Sequence, residues 1–222
     1  MPYRLYRCHF HPVLNAARFN QSILVKFVTH QFVLTTAIFL TSFSLPTAAK
    51  AFNPDHLEQL RRTGVCVECD LSGAEFSGAL LSNTDLRQAN LSGANLTNAD
   101  LRRAKLTNTN LAGASLIYAN LTDADLKGSN LTVAALIGAN LTRANLVGAG
   151  LSLAKLANAN LTGANLRQTD LSNADLSNAN LNSADLTGAN LSNADLTDAV
   201  LTNLVKKMTL PEASKNQVFG LK

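Results

Sequence analysis

From Asp70 to Asn203 the chain has no histidine, no cysteine and no tryptophan. That stretch lacks the commonest general acid–base group, the thiolate nucleophile and the usual nitrogen and sulfur metal ligands. The sequence also has no phosphate-binding glycine loop, no nucleophile motif and no metal-ligand spacing. Neither catalysis, a metal nor a cofactor is expected. Acidic residues are missing from positions 1–51, and basic residues from Gln168 to Asn203. The formal charge of +4 comes from the first 51 residues. After them, 14 Lys+Arg face 15 Asp+Glu, a net of about −1. Whole-chain basicity is therefore no argument for a nucleic-acid partner.

What the chain has instead is a period. Every fifth residue from Leu71 to Leu201 is Leu, with Phe76 the exception, which gives 27 consecutive centres. The residue two before each centre is Ala, except Thr84, Thr109, Ser129 and Thr169 among 26 positions. A period of five fits neither regular element. On a helix, successive centres would lie about 140° apart and wrap the axis. On one long strand, alternate centres would face opposite sides. Both conflicts disappear if the chain turns once per five residues, with Ala and Leu pointing inward. The position two after each centre then needs turn chemistry, and 19 of 27 are Gly, Asn or Asp.

Blocks such as Ala94-Asn95-Leu96-Thr97-Asn98 and Ala174-Asp175-Leu176-Ser177-Asn178 resemble the A(D/N)LXX unit of pentapeptide-repeat proteins. The resemblance covers residues 70–203 without a break in phase. It implies an all-β solenoid, a right-handed quadrilateral β-helix with four pentads per coil. Coils would stack about 4.8 Å apart. Open solenoid ends need capping. Asn53-Pro54-Asp55 reads as a helix start, Leu57 and Leu60 as its apolar stripe and Gly64 as its end. Downstream, Leu201, Leu204, Val205 and Met208 follow helical spacing up to Pro211. The expected units are a cap helix with its cysteines over 52–69, repeats over 70–203, and a C-terminal cap and tail over 204–222. Stacked asparagines such as Asn90, Asn110 and Asn130 are expected to form ladders along a corner.

Residues 1–51 read as a secretory leader: a basic start, an apolar run, and Ala49-Lys50-Ala51 as a cleavage site before Phe52. The alternative is an uncleaved membrane anchor, since 23 uncharged residues from Phe27 to Ala49 could span a bilayer. Cys66 and Cys69 are the two cysteines that follow the leader. In an exported chain such a pair favours a disulfide. A redox-responsive pair and half of a metal site are the other readings, though His56 is the one histidine after the leader. The segment from Leu57 to Ala74 resembles the N-terminal region of exported cyanobacterial pentapeptide proteins, which implies the periplasm or the thylakoid lumen.

Outward positions are nearly all Ser, Thr, Asn, Asp or Gly. With twenty residues per coil, Ile117 stacks on Ile137 with Tyr118 beside them, and Val133 stacks on Leu153 at the adjoining corner. These five form a candidate interaction patch. The expected function is an exported structural or protein-interaction module whose partner is another protein. Membrane contact is expected only through an uncleaved leader. The chain is expected to be a monomer or a dimer joined through its C-terminal cap. Three alternatives follow from the same residues. Some members of the family bind DNA gyrase by resembling B-DNA, but the repeats here hold 11 acidic and eight basic residues. A threonine row at Thr122, Thr142 and Thr162 suggests ice binding. Cys66 and Cys69 suggest a redox protein.

Overall fold

The computed structural model describes residues 52–203. The expected leader, with Ala49 and Ala51 of its cleavage site, and the expected C-terminal cap lie outside the described residues.

The expected coil closes at twenty residues. Parallel bridges join Asp70 to Asn90, Asn90 to Asn110 and so on, at every fifth position from Val65↔Asp85 to Asn180↔Val200. The rod therefore has four sides. Side 1 carries the inward Leu71, Leu91 and their successors, side 2 Phe76 and Leu96, side 3 Leu81 and Leu101, and side 4 Leu86 and Leu106. The centres from Leu71 to Leu196 are all buried. Where Thr or Ser replaces the inward Ala, its hydroxyl donates to a backbone carbonyl. Thr84 bonds Leu81, Thr109 bonds Leu86, Ser129 bonds Leu126 and Thr169 bonds Leu146. A buried hydroxyl thus costs the core no lost hydrogen bond.

One pentad shows how all five backbone N–H groups are used. Leu91 and Gly93 donate forward to Asn110 and Ala112, and Asn95 donates back to Ala74. Ala94 closes the turn on Leu91. The fifth donor, Ser92 N–H, bonds the side-chain Oδ1 of Asn90 at 3.2 Å. All 19 Asn and Asp residues that precede a centre make this same bond to the residue two ahead. This is the repeat's reason for Asn or Asp there: the side chain satisfies a donor that the coil geometry leaves over. The carboxamide ladder is also present, with Asn90 donating to Asp70, Asn110 to Asn90 and Asn130 to Asn110. It runs along the bridge positions of side 1 rather than a corner.

Every position two after a centre has positive φ, from Glu68 at 59° to Asn203 at 52°. Only glycine takes this region without strain, and Asn and Asp tolerate it. The turn chemistry read from the sequence is therefore a backbone requirement.

Helix α1 spans Pro54–Thr63. Asn53 caps it by accepting from Asp55 N–H, and Gly64 ends it in the left-handed region at φ 69°. The helix closes the open end of the first coil. Leu60 is buried, and Phe52 and Leu57 pack on the core. Asn53 N–H donates to the Asp70 carbonyl, and Asp70 N–H donates to His56 Nδ1 at 2.9 Å. An edge amide that would otherwise seek another strand is thereby occupied.

The rod begins one pentad earlier than the sequence reading placed it. Val65 bridges Asp85, and Cys66 and Glu68 donate to Asp85 and Arg87. Cys66 sits at a Leu position and Cys69 at an Ala position, both buried. The unit 52–69 is therefore not all cap, and the cysteines lie inside the first coil. Cysteine, a small buried hydrophobe, fills these inward positions as Leu and Ala do elsewhere. The two sulfurs are bonded at 2.03 Å. Cys66 Sγ lies 3.1 Å from the His56 carbonyl oxygen of α1.

This position yields a test. The double variant Cys66→Leu with Cys69→Ala gives both inward positions the repeat's usual residues and should keep both rod and cap. The four-residue loop closed by the bond contributes only about 2 kcal/mol in the chain-entropy picture. Burial of the larger Leu offsets much of that. Hydrogen exchange should show α1 protected as in the parent. Loss of protection from Phe52 to Asp70 would mean that the bond, not the packing, seats the cap.

Candidate interaction face

The five residues singled out from the sequence come together across side 2 and its two corners. Val133 and Leu153 stand on the corner before side 2, at 53% and 54% exposure. Tyr118 stands on the corner after it, at 64%. Ile117 and Ile137 are half-buried between the corners. The Tyr118 ring lies over the backbone of Gly138 in the next coil, where an added Cβ would come within 2.4 Å of Cε1. The aromatic is thus seated by a glycine twenty residues on.

The structure adds Ser115, Ala135, Lys155 and Ala157 to the face. Ser115, Ala135 and Lys155 bridge one another in the position where Asn or Asp usually precedes the centre. None carries the Oδ1 that takes the N–H two ahead. Among the described residues, the backbone N–H groups of Ile117, Ile137 and Ala157 accordingly have no protein acceptor. They form a column along the rod axis, one per coil. Twenty-residue spacing of the missing Asx residues was the signal in the sequence, but it means little until the hydrogen bond they make is known.

The same coils carry backbone strain. Val133 has φ 60°, Leu153 φ 59° and Tyr118 φ 56°. A β-branched residue at positive φ is a steric outlier, and L residues other than Asn and Asp lose about 1–2 kcal/mol there.

Charge is divided between the sides. Between Asp70 and Asn203, sides 1 and 2 hold Asp70, Glu75, Asp170, Asp175, Asp195 and Asp198, with Lys155 as their one base. Sides 3 and 4 hold the other seven bases and five acids, largely as ion pairs. Arg87 meets Asp85 at 2.8 Å, Arg102 meets Asp100 at 2.7 Å and Arg143 meets Asp123 at 2.8 Å. Hydrogen bonds from these guanidinium groups hold the carboxyls of Asp85, Asp100 and Asp123 below the usual range. Hydrogen bonds from Ser172 and Thr197 do the same for Asp170 and Asp195. A carboxyl whose pKa is lowered by folding stabilises the fold above its unfolded value of about 3.9. That contribution fades as pH falls through the folded value. The thermal midpoint should hold steady from neutral pH to about 5 and drop below about 4. An unchanged midpoint at about pH 3 would mean that solvent screens these exposed pairs completely.

The remaining candidates have other occupations. Thr122, Thr142 and Thr162 each donate their hydroxyl to the Asn two before them, at 2.6–2.7 Å. Cys66 and Cys69 are 0% and 2% exposed, which shields their bond from a reductant's thiolate in the folded rod. No helix among the described residues is long and apolar enough to cross a membrane, and no cluster of His, Cys, Asp or Glu among them could hold a metal.

No curated protein matches the chain. Among solved structures, HetL, a pentapeptide repeat protein involved in heterocyst differentiation regulation from the cyanobacterium Nostoc sp. strain PCC 7120, is 35% identical. The match covers 62% of this chain and 74% of HetL, with a TM-score of 0.32. A pentapeptide repeat protein from the cyanobacterium Cyanothece 51142 is 30% identical over 66% of this chain and 97% of its own, with a TM-score of 0.25. One from the Arabidopsis thaliana thylakoid lumen is 29% identical over 57% of this chain and 70% of its own, with a TM-score of 0.23. The sequence pattern described as "Pentapeptide repeats" matches in 8 copies, over residues 69–108, 94–132, 134–173 and 164–203. With that pattern over more than half of its length, the chain belongs to the pentapeptide-repeat family, whose members form right-handed β-helices.

Proposed function

We propose that the protein is an exported, non-enzymatic interaction module that docks another protein on side 2 of its middle coils. One observation carries this reading. Three successive coils abandon, on side 2 and its two corners, the residues the fold favours: they lose the Asx bonds before Leu116, Leu136 and Leu156 and hold Val133, Leu153 and Tyr118 at positive φ. The core is already filled by Leu and Ala, so these choices serve no packing need, and such departures concentrate at functional sites. The leader of residues 1–51 and the bonded cysteines fit an oxidising compartment, periplasm or thylakoid lumen. A DNA-mimic role fits less well, because seven basic residues line sides 3 and 4.

The test is capture from extracts of the source organism by the parent and by a variant with Ile117→Thr, Ile137→Thr and Leu153→Ser. Both should fold alike, and only the parent should retain its partner. Retention of the same partner by the variant would remove side 2 from consideration. Intact mass of the native protein checks the export half, with a start near Phe52 expected and a retained Met1 favouring the anchor.

A further inference from the structure

Resting on that reading of side 2, we infer that its occupant is a proline-rich segment of another protein in the polyproline II conformation. The segment lies along the rod axis with basic residues at the end nearest Asp175 and Asp195.

Three properties of the face select this occupant. The first is its relief. Val133 and Leu153 form one wall, Tyr118 the other, and the half-buried Ala135, Ile137 and Ala157 the floor between them. A narrow apolar ligand fits such a shallow trough. A second copy of this chain does not. Three coils span only about 10–14 Å along the axis, far short of the ~800 Å² per partner that stable dimers bury. Side 2 against side 2 would also bring together faces with a shared excess of acid.

The second property is the column of open donors. Coils are about 4.8 Å apart, so Ile117 N–H and Ala157 N–H lie about 9.6 Å apart. A polyproline II segment repeats every three residues, a rise of about 9.3 Å, and its carbonyls are free of internal bonds. Carbonyls three residues apart can therefore meet both donors. A helix repeats at about 5.4 Å but has already committed its carbonyls. A β-strand presents carbonyls on one side every ~6.8 Å, in register with neither one coil nor two.

The third property is charge. On side 2 the trough is followed, one and two coils on, by Asp175 and Asp195, with Asp198 at the next corner. Lysine or arginine just beyond the prolines would meet these carboxylates at the polar rim.

Peptide libraries displayed on phage test the inference, selected on the full chain. One library fixes prolines at i and i+3, one is a helix template and one alternates apolar and polar residues. Winners are compared on two variants. Ile117→Thr with Ile137→Thr and Leu153→Ser strips the trough. Ser115→Asn with Lys155→Asn keeps every apolar side chain but lets Asn Oδ1 take the N–H groups of Ile117 and Ala157, as elsewhere in the rod. Lys155→Gln is the control for the lost charge, since its longer side chain does not form the Asx turn. The expected winners are proline-bearing peptides with Lys or Arg at one end. They should weaken about tenfold or more on the Asn variant, as for two lost hydrogen bonds, and little on the Gln control. Winners from the helix or alternating library, or equal binding to the Asn variant, would overturn the polyproline inference and leave the interaction face standing. Winners with acidic or neutral ends would remove the charge argument and with it the stated partner. If no library yields a binder that depends on the trough, the interaction face itself falls.

Discussion

Leu131→Asp melts the middle of the rod, while Thr132→Ala beside it leaves the thermal midpoint nearly unchanged. Leu131 is fully buried on side 1, stacked between Leu111 and Leu151. Among the described residues no basic side chain points into the core to pair with a carboxylate, because the inward positions are Leu, Phe, Ala, Thr, Ser and the two bonded cysteines. An unpaired buried charge costs about 3–5 kcal/mol or forces the group to take up a proton. In a solenoid each coil leans on its neighbours alone, so one failed coil splits the rod into two short pieces with fresh open ends. Thr132 is half-buried, and its N–H bond to Asn130 is a backbone contact that survives truncation to Ala. That change should stay within about 0.5 kcal/mol. Thermal melts of the two variants decide the matter. Equal midpoints would mean that Leu131 does not face inward, and the phase of the whole repeat would be wrong.

The variant Val133→Asn with Ala135→Asn and Leu153→Asn should be more stable than the parent and poorer at binding. Asn tolerates the positive φ that Val133 and Leu153 now hold at a cost of about 1–2 kcal/mol each. At position 135, Asn supplies the Oδ1 that Ile137 N–H lacks, a bond contributing about 0.5–1.5 kcal/mol. Together the gain should be roughly 2.5–5.5 kcal/mol, visible as a raised midpoint. Loss of Val, Ala and Leu from the face should abolish capture of the partner. Stability held back at a functional surface is a common pattern. A variant that melts at or below the parent's temperature would show that the apolar side chains stabilise the rod by packing on one another. The case for a functional face would then lose its main support.

Much of the architecture is legible in the sequence because each pentad carries its own instructions. Leu and Ala two apart define the inward residues, and Gly, Asn or Asp two after each centre mark the turn that positive φ demands. Asn53-Pro54 and Gly64 bracket α1 for equally local reasons. Local chemistry repeated 27 times leaves little room for another phase. Twenty residues per coil comes from the family resemblance, and with it the sequence sets the columns of Ile117 with Ile137 and Val133 with Leu153.

What only the tertiary structure decided follows from coil closure. Cys66 counts as a centre and Cys69 as the inward residue of the next pentad because Val65 pairs with Asp85 across one full turn, a contact that no local pattern announces. The task of each Asn or Asp emerges only when the other four donors of the pentad have found partners in neighbouring coils. For that reason Ser115, Ala135 and Lys155 read as ordinary small or charged residues in the sequence and as three missing acceptors in the fold. The split of charge between sides 1 and 2 and sides 3 and 4 is likewise invisible along the chain, where the order shows only that the repeat bases end at Arg167 and acids continue beyond it. Sequence order sets which residues face outward, but the hydrogen bonds that close each coil at twenty residues set which of them become neighbours.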